Sequence, residues 1–350
     1  MRVRVRVQAM ATKAYELSRL LEVLPPVNFA VAYGSGVFKH FGSAAVSTTT
    51  KVVDYILAVD NAQQWHAENA AANPRHYGGL SKLIGGKSTA ILADTVGLGV
   101  HFNPYVQVGG QLCKYGVVST ASLLRDLDSW EHLYLAGRLH KPVKGLVKCH
   151  TVERAMSKNL RSALCAALLL LPEKFSKEEL YYQICSLSYR GDIRMAFAED
   201  KSKVENIVGG SERELDHLYL QDLHGVSGAK AGLVIAEGTI WSQAKNSVSS
   251  RAELLTSLPD SVLAEMGEKS SLSFRNSSLD IGLRNPMSRL SFAVRLAQNS
   301  DHINLLQDAL SSRVRLASFR QALHGVLTTG LGKSSYYLFE KVRKALMTRR

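Results

Sequence analysis

The sequence predicts a mixed α/β (α+β) protein with a strand-rich start, a helical middle and a basic helical end. Three observations carry this reading. Val27 to Tyr33 (VNFAVAY) and Lys51 to Val59 (KVVDYILAV) are apolar runs of strand length in the first 60 residues. Residues 151–190 carry mostly helical spacing. Residues 281–350 hold 12 Lys+Arg against 3 Asp+Glu, so +9 of the net +13 lies in the last fifth of the chain. At 350 residues the chain has room for about two domains, because a single core rarely grows past roughly 250–300 residues.

Composition narrows the function classes. An apolar content of 46% is enough to bury real cores. The longest strongly apolar run, Ala163 to Leu171, ends at Pro172 and is about half the length a membrane-spanning helix needs. Mean hydropathy is −0.04 and the isoelectric point is near 9.6, a surface that favours polyanions such as nucleotides, nucleic acid or anionic lipid. Cys113, Cys149, Cys165 and Cys185 are widely spaced with no CxxC pair, which argues against a zinc ribbon or a disulfide framework and fits a reducing compartment. Residues 1–15 carry Arg2, Arg4, Arg6 and Lys13 and no acid. That is the composition of a mitochondrial presequence, but R-V-R-V-R-V alternates with strand period rather than helix period. No apolar stretch follows these arginines to make a secretory signal.

The elements follow in order. Residues 12–24 have helical spacing at Tyr15, Leu17, Leu20, Leu21 and Leu24, and Pro25-Pro26 stops that helix. The first strand runs into Gly34-Ser35-Gly36; residues 42–50 are small and polar, hence a loop; the second strand carries one carboxylate, Asp54. A helix is expected over 62–73, with Asp60 as its cap. Residues 78–90, rich in Gly and Ser, read as a mobile loop. Short strands follow over 97–108 and 114–119, then one helix over 124–139. Ser176-Lys177-Glu178-Glu179 is a capping box opening a helix to about Cys185, and 189–195 leaves it as a turn. Residues 208–212 and 224–229 read as loops, 244–290 are Ser- and Asn-rich, and the last 50 residues return to helical spacing.

The chemistry-bearing candidate is Gly34-Ser35-Gly36 after a buried strand. Glycines let backbone N–H groups approach phosphate oxygens, and a serine hydroxyl adds a donor; a plain tight turn reads the same. The carboxylate in the next strand sharpens it. A strand, a Gly-Ser loop and a strand bearing Asp is how nucleotidyltransferases of the polymerase-beta type hold a triphosphate and Mg2+. Their usual form has two acids two residues apart, and here Ile56 follows Asp54. Asp54 is costly in an apolar strand unless it is paired, metal-bound or facing water. Gly85-Gly86-Lys87-Ser88-Thr89 imitates the end of a P-loop, but Ser81 stands where the first glycine is needed; Lys87 remains a candidate phosphate contact from a mobile loop. No HExxH and no GxSxG occurs, against zinc hydrolysis and serine hydrolysis.

Several segments, taken in order, resemble one family. They are Val31 to Phe38, Val53 to Asp60, Trp65-His66, Gly97 to Pro104, Lys114 to Val118, Leu133 to Val143, Ser188 to Met195 and Gly325 to Ser334. Together they resemble the mitochondrial phosphatidate cytidylyltransferases, also called CDP-diacylglycerol synthases, over about residues 27–345. Two departures stand out: Leu331-Gly332 where that family usually has Pro-Val, and Arg190 where Met usually precedes the Gly-Asp pair.

The resemblance implies a polymerase-beta-like nucleotidyltransferase domain over 25–150, a winged-helix-like helical domain over 151–245, a C-terminal region over 246–333 and a basic membrane-binding tail over 334–350, after an N-terminal segment 1–24. It implies transfer of CMP from CTP to phosphatidic acid for cardiolipin synthesis, on the matrix side of the mitochondrial inner membrane. Gly34, Ser35 and Gly36 would hold phosphates and Asp54 would bind Mg2+ or another divalent cation. Lys114, Arg138 and Lys141 would contact phosphate or phosphatidate, and Asp192 would serve metal or hold Arg194. In the tail, Ser335, Leu338, Phe339, Val342, Ala345 and Leu346 share one helical side with five basic residues nearby. The competing classes are a basic nucleotidyltransferase acting on RNA and a non-catalytic membrane scaffold. No RNA-binding signature is visible, so nucleic acid is not an expected partner.

Overall fold

The computed structural model describes the backbone of residues 15–38, 52–197, 202–227, 234–235, 240–243, 247–270, 283 and 285–347, and the side chains of residues 15–38, 52–195, 202–220, 240–243, 247–270, 283 and 285–328. Residues 1–14, the loop expected at 42–50 and the side chains of the tail lie outside these. The chain forms two compact units. One gathers residues up to Leu124, Pro142–Glu153 and Phe319 onward; the other gathers Arg125–Lys141 and Arg154–Ser318.

The first unit is built on a five-stranded sheet. Its elements are helix α1 over 15–22, β1 (Phe29–Tyr33), β2 (Val53–Val59), α2 (Ala62–Ala72), α3 (Gly79–Thr95), β3 (Val100–Val108), β4 (Gln111–Ser119) and β5 (Val143–Val147). The strand order is β3-β4-β2-β1-β5. Only β2 and β4 run parallel; the other pairs are antiparallel. One face of the sheet buries Ala30, Ala32, Tyr55, Leu57, Val59, Tyr115 and Val117 with Leu17, Leu20 and Leu24 of the N-terminal segment and Trp65 of α2. Ile56 and Ala58 point to the other face by strand parity and are fully buried too, which is why β2 reads as an unbroken apolar run. Asp54, at its start, is the half-buried exception. The Trp65 indole donates to the carbonyls of Pro25 and Pro26, so the proline break after α1 doubles as an anchor for α2.

Several expectations are corrected. Residues 78–90 form α3 rather than a mobile loop, and Lys87 is exposed on that helix. A Cβ at Gly86 would lie 2.1 Å from the His66 carbonyl oxygen, so the glycine that suggested a loop is there to let α3 close on α2. The helix cap at Ala62 is Asn61, which accepts from Gln64 N–H, while Asp60 accepts from the Asn28 amide. The helix expected over 124–139 is two, α4 (Thr120–Ser129) and α5 (Leu135–Arg138). The Asp126 carboxylate takes the N–H groups of His132, Tyr134, Leu135 and Ala136 at 2.7 to 3.1 Å, and Trp130 and Leu133 adopt φ of +51° each in the break. The sheet also gains β5, whose polar spacing gave no strand signal.

The second unit is mainly helical. It holds α5, most of α6 (His150–Leu170), β6 (Lys174–Ser176) and α7 (Lys177–Ser186), and the Ser176–Glu179 capping box is present as expected. The apolar run of α6 is core, with Ala163 to Leu169 buried. Helices Lys203–Gly210 and Glu212–Ser227 follow, separated only at Ser211 where a loop was expected. Then come β7 (Val234–Ile235) and β8 (Ile240–Ser242), in a three-stranded sheet of order β6-β8-β7. The Ser- and Asn-rich stretch contains helices Val248–Thr256, Asp260–Lys269 and Pro286–Gln298. Helix His302–Met347 closes the described chain. No helix among the described residues is long and apolar enough to cross a membrane.

Candidate active site

β1 ends in a tight turn. Gly34 sits at φ +81°, a conformation glycine reaches without strain, and its carbonyl accepts from the N–H groups of Val37 and Phe38, both at 3.0 Å. The two glycines are demanded by what lies beside them. A Cβ at Gly34 would stand 3.3 Å from Asp54 Oδ2, and one at Gly36 would stand 2.4 Å from the Val52 carbonyl oxygen. Between them Ser35 is exposed.

Asp54 is flanked in register by Tyr33 on β1 and Lys114 on β4. Neighbours in register share a face of the sheet, so the carboxylate and the lysine emerge side by side. The Lys114 ammonium lies 4.8 Å over the Phe102 ring, and that ring occupies the space a side chain at Gly116 would fill. The fold thus brings together Gly34, Ser35 and Gly36 of the turn after β1 with Asp54 of β2 and Lys114 of β4. Among the described residues no group of three or more His, Cys, Asp or Glu is placed to hold a metal ion. Mg2+ commonly takes one or two carboxylates and completes its shell with substrate phosphates and water, so Asp54 is the carboxylate here that could hold it.

The opposite face of the same sheet carries a buried polar network. Tyr115 accepts from Asn69 at 2.8 Å and pairs with His76 at 2.8 Å; Tyr77 pairs with His66 at 2.8 Å; His101 pairs with Asn103 at 3.1 Å. The His101 ring packs edge-on against His66 and His324, with centroids 5.3 and 5.5 Å apart. Burial holds His66 down at about 3, helped by His324, and His324 at about 4. His101 is pushed well below its ordinary value by burial, then by His66 and His324. These histidines are neutral at pH 7. Three of the segments that carry the family resemblance converge here, and sequence spacing alone gave no hint that they meet.

The remaining predicted residues lie in the second unit. The Arg138 guanidinium stacks 3.7 Å over the Tyr134 ring and donates to the Tyr134 carbonyl. The Lys141 ammonium donates to the Gly137 carbonyl and the Ser188 hydroxyl and lies 4.9 Å over the Tyr189 ring. Burial, then the charges of Arg138 and Lys203, push its pKa down. Lys203 approaches the same ring at 5.3 Å. It is a third cation of this cluster that the sequence reading missed, because 62 residues separate it from Lys141. Asp192 is buried and ion-paired with Arg194 at 2.5 Å, while also accepting the Arg194 N–H.

The family model described as mitochondrial phosphatidate cytidylyltransferase matches residues 17–344. The chain belongs to this family. A relative from Xenopus laevis named mitochondrial phosphatidate cytidylyltransferase is 36% identical over 339 residues, covering 96% of each chain. Relatives of the same name from Danio rerio and Mus musculus are 34% and 35% identical over 339 and 340 residues, again covering 96% of each chain. The protein is therefore similar to these enzymes over nearly its whole length, with the Gly34 turn and Asp54 inside the matched region.

Proposed function

We infer that this protein is a phosphatidate cytidylyltransferase of the mitochondrion, taking CTP and phosphatidic acid to CDP-diacylglycerol and pyrophosphate as a step toward cardiolipin. The observation that carries it is the Gly34 turn lying against Asp54, with Lys114 in register beside it, in a chain that the family model matches over residues 17–344.

In the reaction a phosphate oxygen of phosphatidic acid forms a bond to the α-phosphorus of CTP. The bond from that phosphorus to the β-phosphate bridging oxygen breaks, and pyrophosphate leaves with the electron pair. The backbone N–H groups of the Gly34–Gly36 turn and the Ser35 hydroxyl bind triphosphate oxygens. Asp54 would hold Mg2+ or another divalent cation, which would supply positive charge to offset that of the phosphates. The Lys114 ammonium adds positive charge on the same face, aimed at the charge that develops in transfer. Arg138, Lys141 and Lys203 are the second unit's candidates for an anionic headgroup, and Asp192 orders Arg194.

Two architectural readings accompany this. The first unit's sheet, with its Gly-Ser turn after β1 and a carboxylate on β2, supports a polymerase-beta-like transferase domain. In the second unit α6, β6 and a run of four helices lead to β7 and β8, and these with the β6-β8-β7 sheet support a winged-helix-like domain. The protein works as a peripheral protein on the matrix face of the inner membrane, with its basic tail over 334–350 as one anchor. Incubating purified protein with labelled CTP, Mg2+ and either phosphatidate vesicles or RNA tests the assignment. Lipid-soluble label is expected. Label in RNA, or transfer to neither acceptor, would overturn it.

A further inference from the structure

α3 is inside out. The residues it buries against the rest of its unit are small or polar: Ser81, Gly86, Thr89, Ala90 and Ala93. Three of its five large apolar side chains are exposed, on both sides of a non-helical break at Gly85, while Ile84 and Leu92 are half-buried. Leu83 is 83% exposed, Ile91 47% and Leu80 37%. An amphipathic helix packed on a domain normally does the reverse. Lys82 and Lys87 are exposed among these residues. From residue 69 to residue 93 the chain has no Asp or Glu, while it carries Arg75, Lys82 and Lys87.

We propose that α3 is a membrane-docking element, which seats Leu80, Leu83 and Ile91 in the interface of an anionic bilayer while Lys82 and Lys87 meet its headgroups. Apolar insertion flanked by lysine is the chemistry of an interfacial helix. A lipid surface fits better than a second copy of the chain, because a two-fold contact through this face would set the same lysines against each other. The surroundings point the same way. Arg320 donates to the carbonyls of Thr95 and Val96, which ties the end of α3 to the terminal helix. That helix leaves Phe319, Leu323, Val326 and Leu327 exposed within the same unit. The proposal rests on phosphatidate being the substrate, since a bilayer-resident acceptor must be met at the surface. It places a docking element in the folded transferase unit itself, upstream of the tail.

Vesicle co-sedimentation of the full-length chain tests it, with phosphatidylcholine vesicles with and without phosphatidate as the probe. Leu83→Asp is expected to lower the vesicle-bound fraction roughly ten-fold, and Lys82→Glu roughly five-fold on phosphatidate vesicles only. Both variants should melt like the parent and transfer CMP to dispersed short-chain phosphatidate at the parental rate. Unchanged vesicle binding by Leu83→Asp overturns the proposal. So does loss of a dimer on size-exclusion chromatography with vesicle binding retained, which assigns the face to a second copy. Because sedimentation needs no turnover, failure of the catalytic assignment would show separately, as absent transfer to dispersed phosphatidate by the parent.

Discussion

Asp54 and Lys114 are register partners on the parallel strands β2 and β4, one carboxylate and one ammonium on the same face of the sheet. Their strands are joined through two helices and a third strand, so neither residue marks the other in the sequence. Asp54→Asn removes the charge and keeps the shape. Transfer should fall on the order of 10²-fold or more, with an unchanged melting temperature. Near-parental turnover would return Asp54 to a solvent-facing strand residue.

Ser35 stands exposed between two glycines whose positions admit no Cβ without contact to β2. Ser35→Val takes away a hydroxyl donor and crowds the approach of a triphosphate. The KM for CTP should rise on the order of ten-fold, the equivalent of one lost hydrogen bond to a charged group, while stability changes little. Steady-state kinetics with CTP varied at saturating phosphatidate measures this, and an unchanged KM makes the segment a plain turn.

Gly85 and Gly86 separate two different reasons for glycine. Gly86→Ala drives a methyl into the His66 carbonyl across the α2–α3 contact and should cost about 1–3 kcal/mol. Gly85→Ala meets open space but sits at φ +80°, where strain alone costs about 1–2 kcal/mol. Urea unfolding should rank Gly86→Ala as the less stable, with its loss shared by α2.

Stability should depend on pH through buried histidine. His66 and His140 are held at about 3 and His324 at about 4, each chiefly by burial. Their folded values lie below the unfolded value of about 6.5. The unfolded chain therefore binds more protons once pH falls below about 6.5. The stability these groups contribute is complete above that pH and is lost toward their folded values, at up to about 1.4 kcal/mol per pH unit for each histidine. Denaturant midpoints measured between pH 7.5 and 5, as chosen test conditions around about 6.5, should fall steeply. His324→Gln should flatten the slope by about one proton; an identical slope would mean that His324 is not buried neutral.

The tail makes a separate prediction. Deleting residues 334–350 removes the end of helix His302–Met347 and five basic residues. Binding to anionic vesicles should weaken and CTP binding should persist. Full vesicle binding by the truncated chain would leave docking to surfaces upstream of residue 334.

Much was legible in the sequence because local physics decides it. The strands at β1 and β2, the proline stop after α1, the Ser176 capping box and the helical end all follow from spacing and from residues that start or stop an element. So did the candidate phosphate loop and its neighbouring carboxylate, since Gly34 to Gly36 directly follow β1 and Asp54 lies on the next strand. What contacts between distant residues decide was not legible. Gly86 reads as loop chemistry until His66 is found against it. Asp126 collects four N–H groups and divides one expected helix into two. Lys203 joins Lys141 only around the Tyr189 ring, and His66, His101 and His324 become one buried cluster only when α2, β3 and the terminal helix pack. Spacing along a chain encodes which face a residue occupies; which faces then meet is set by packing, and that information exists only in three dimensions.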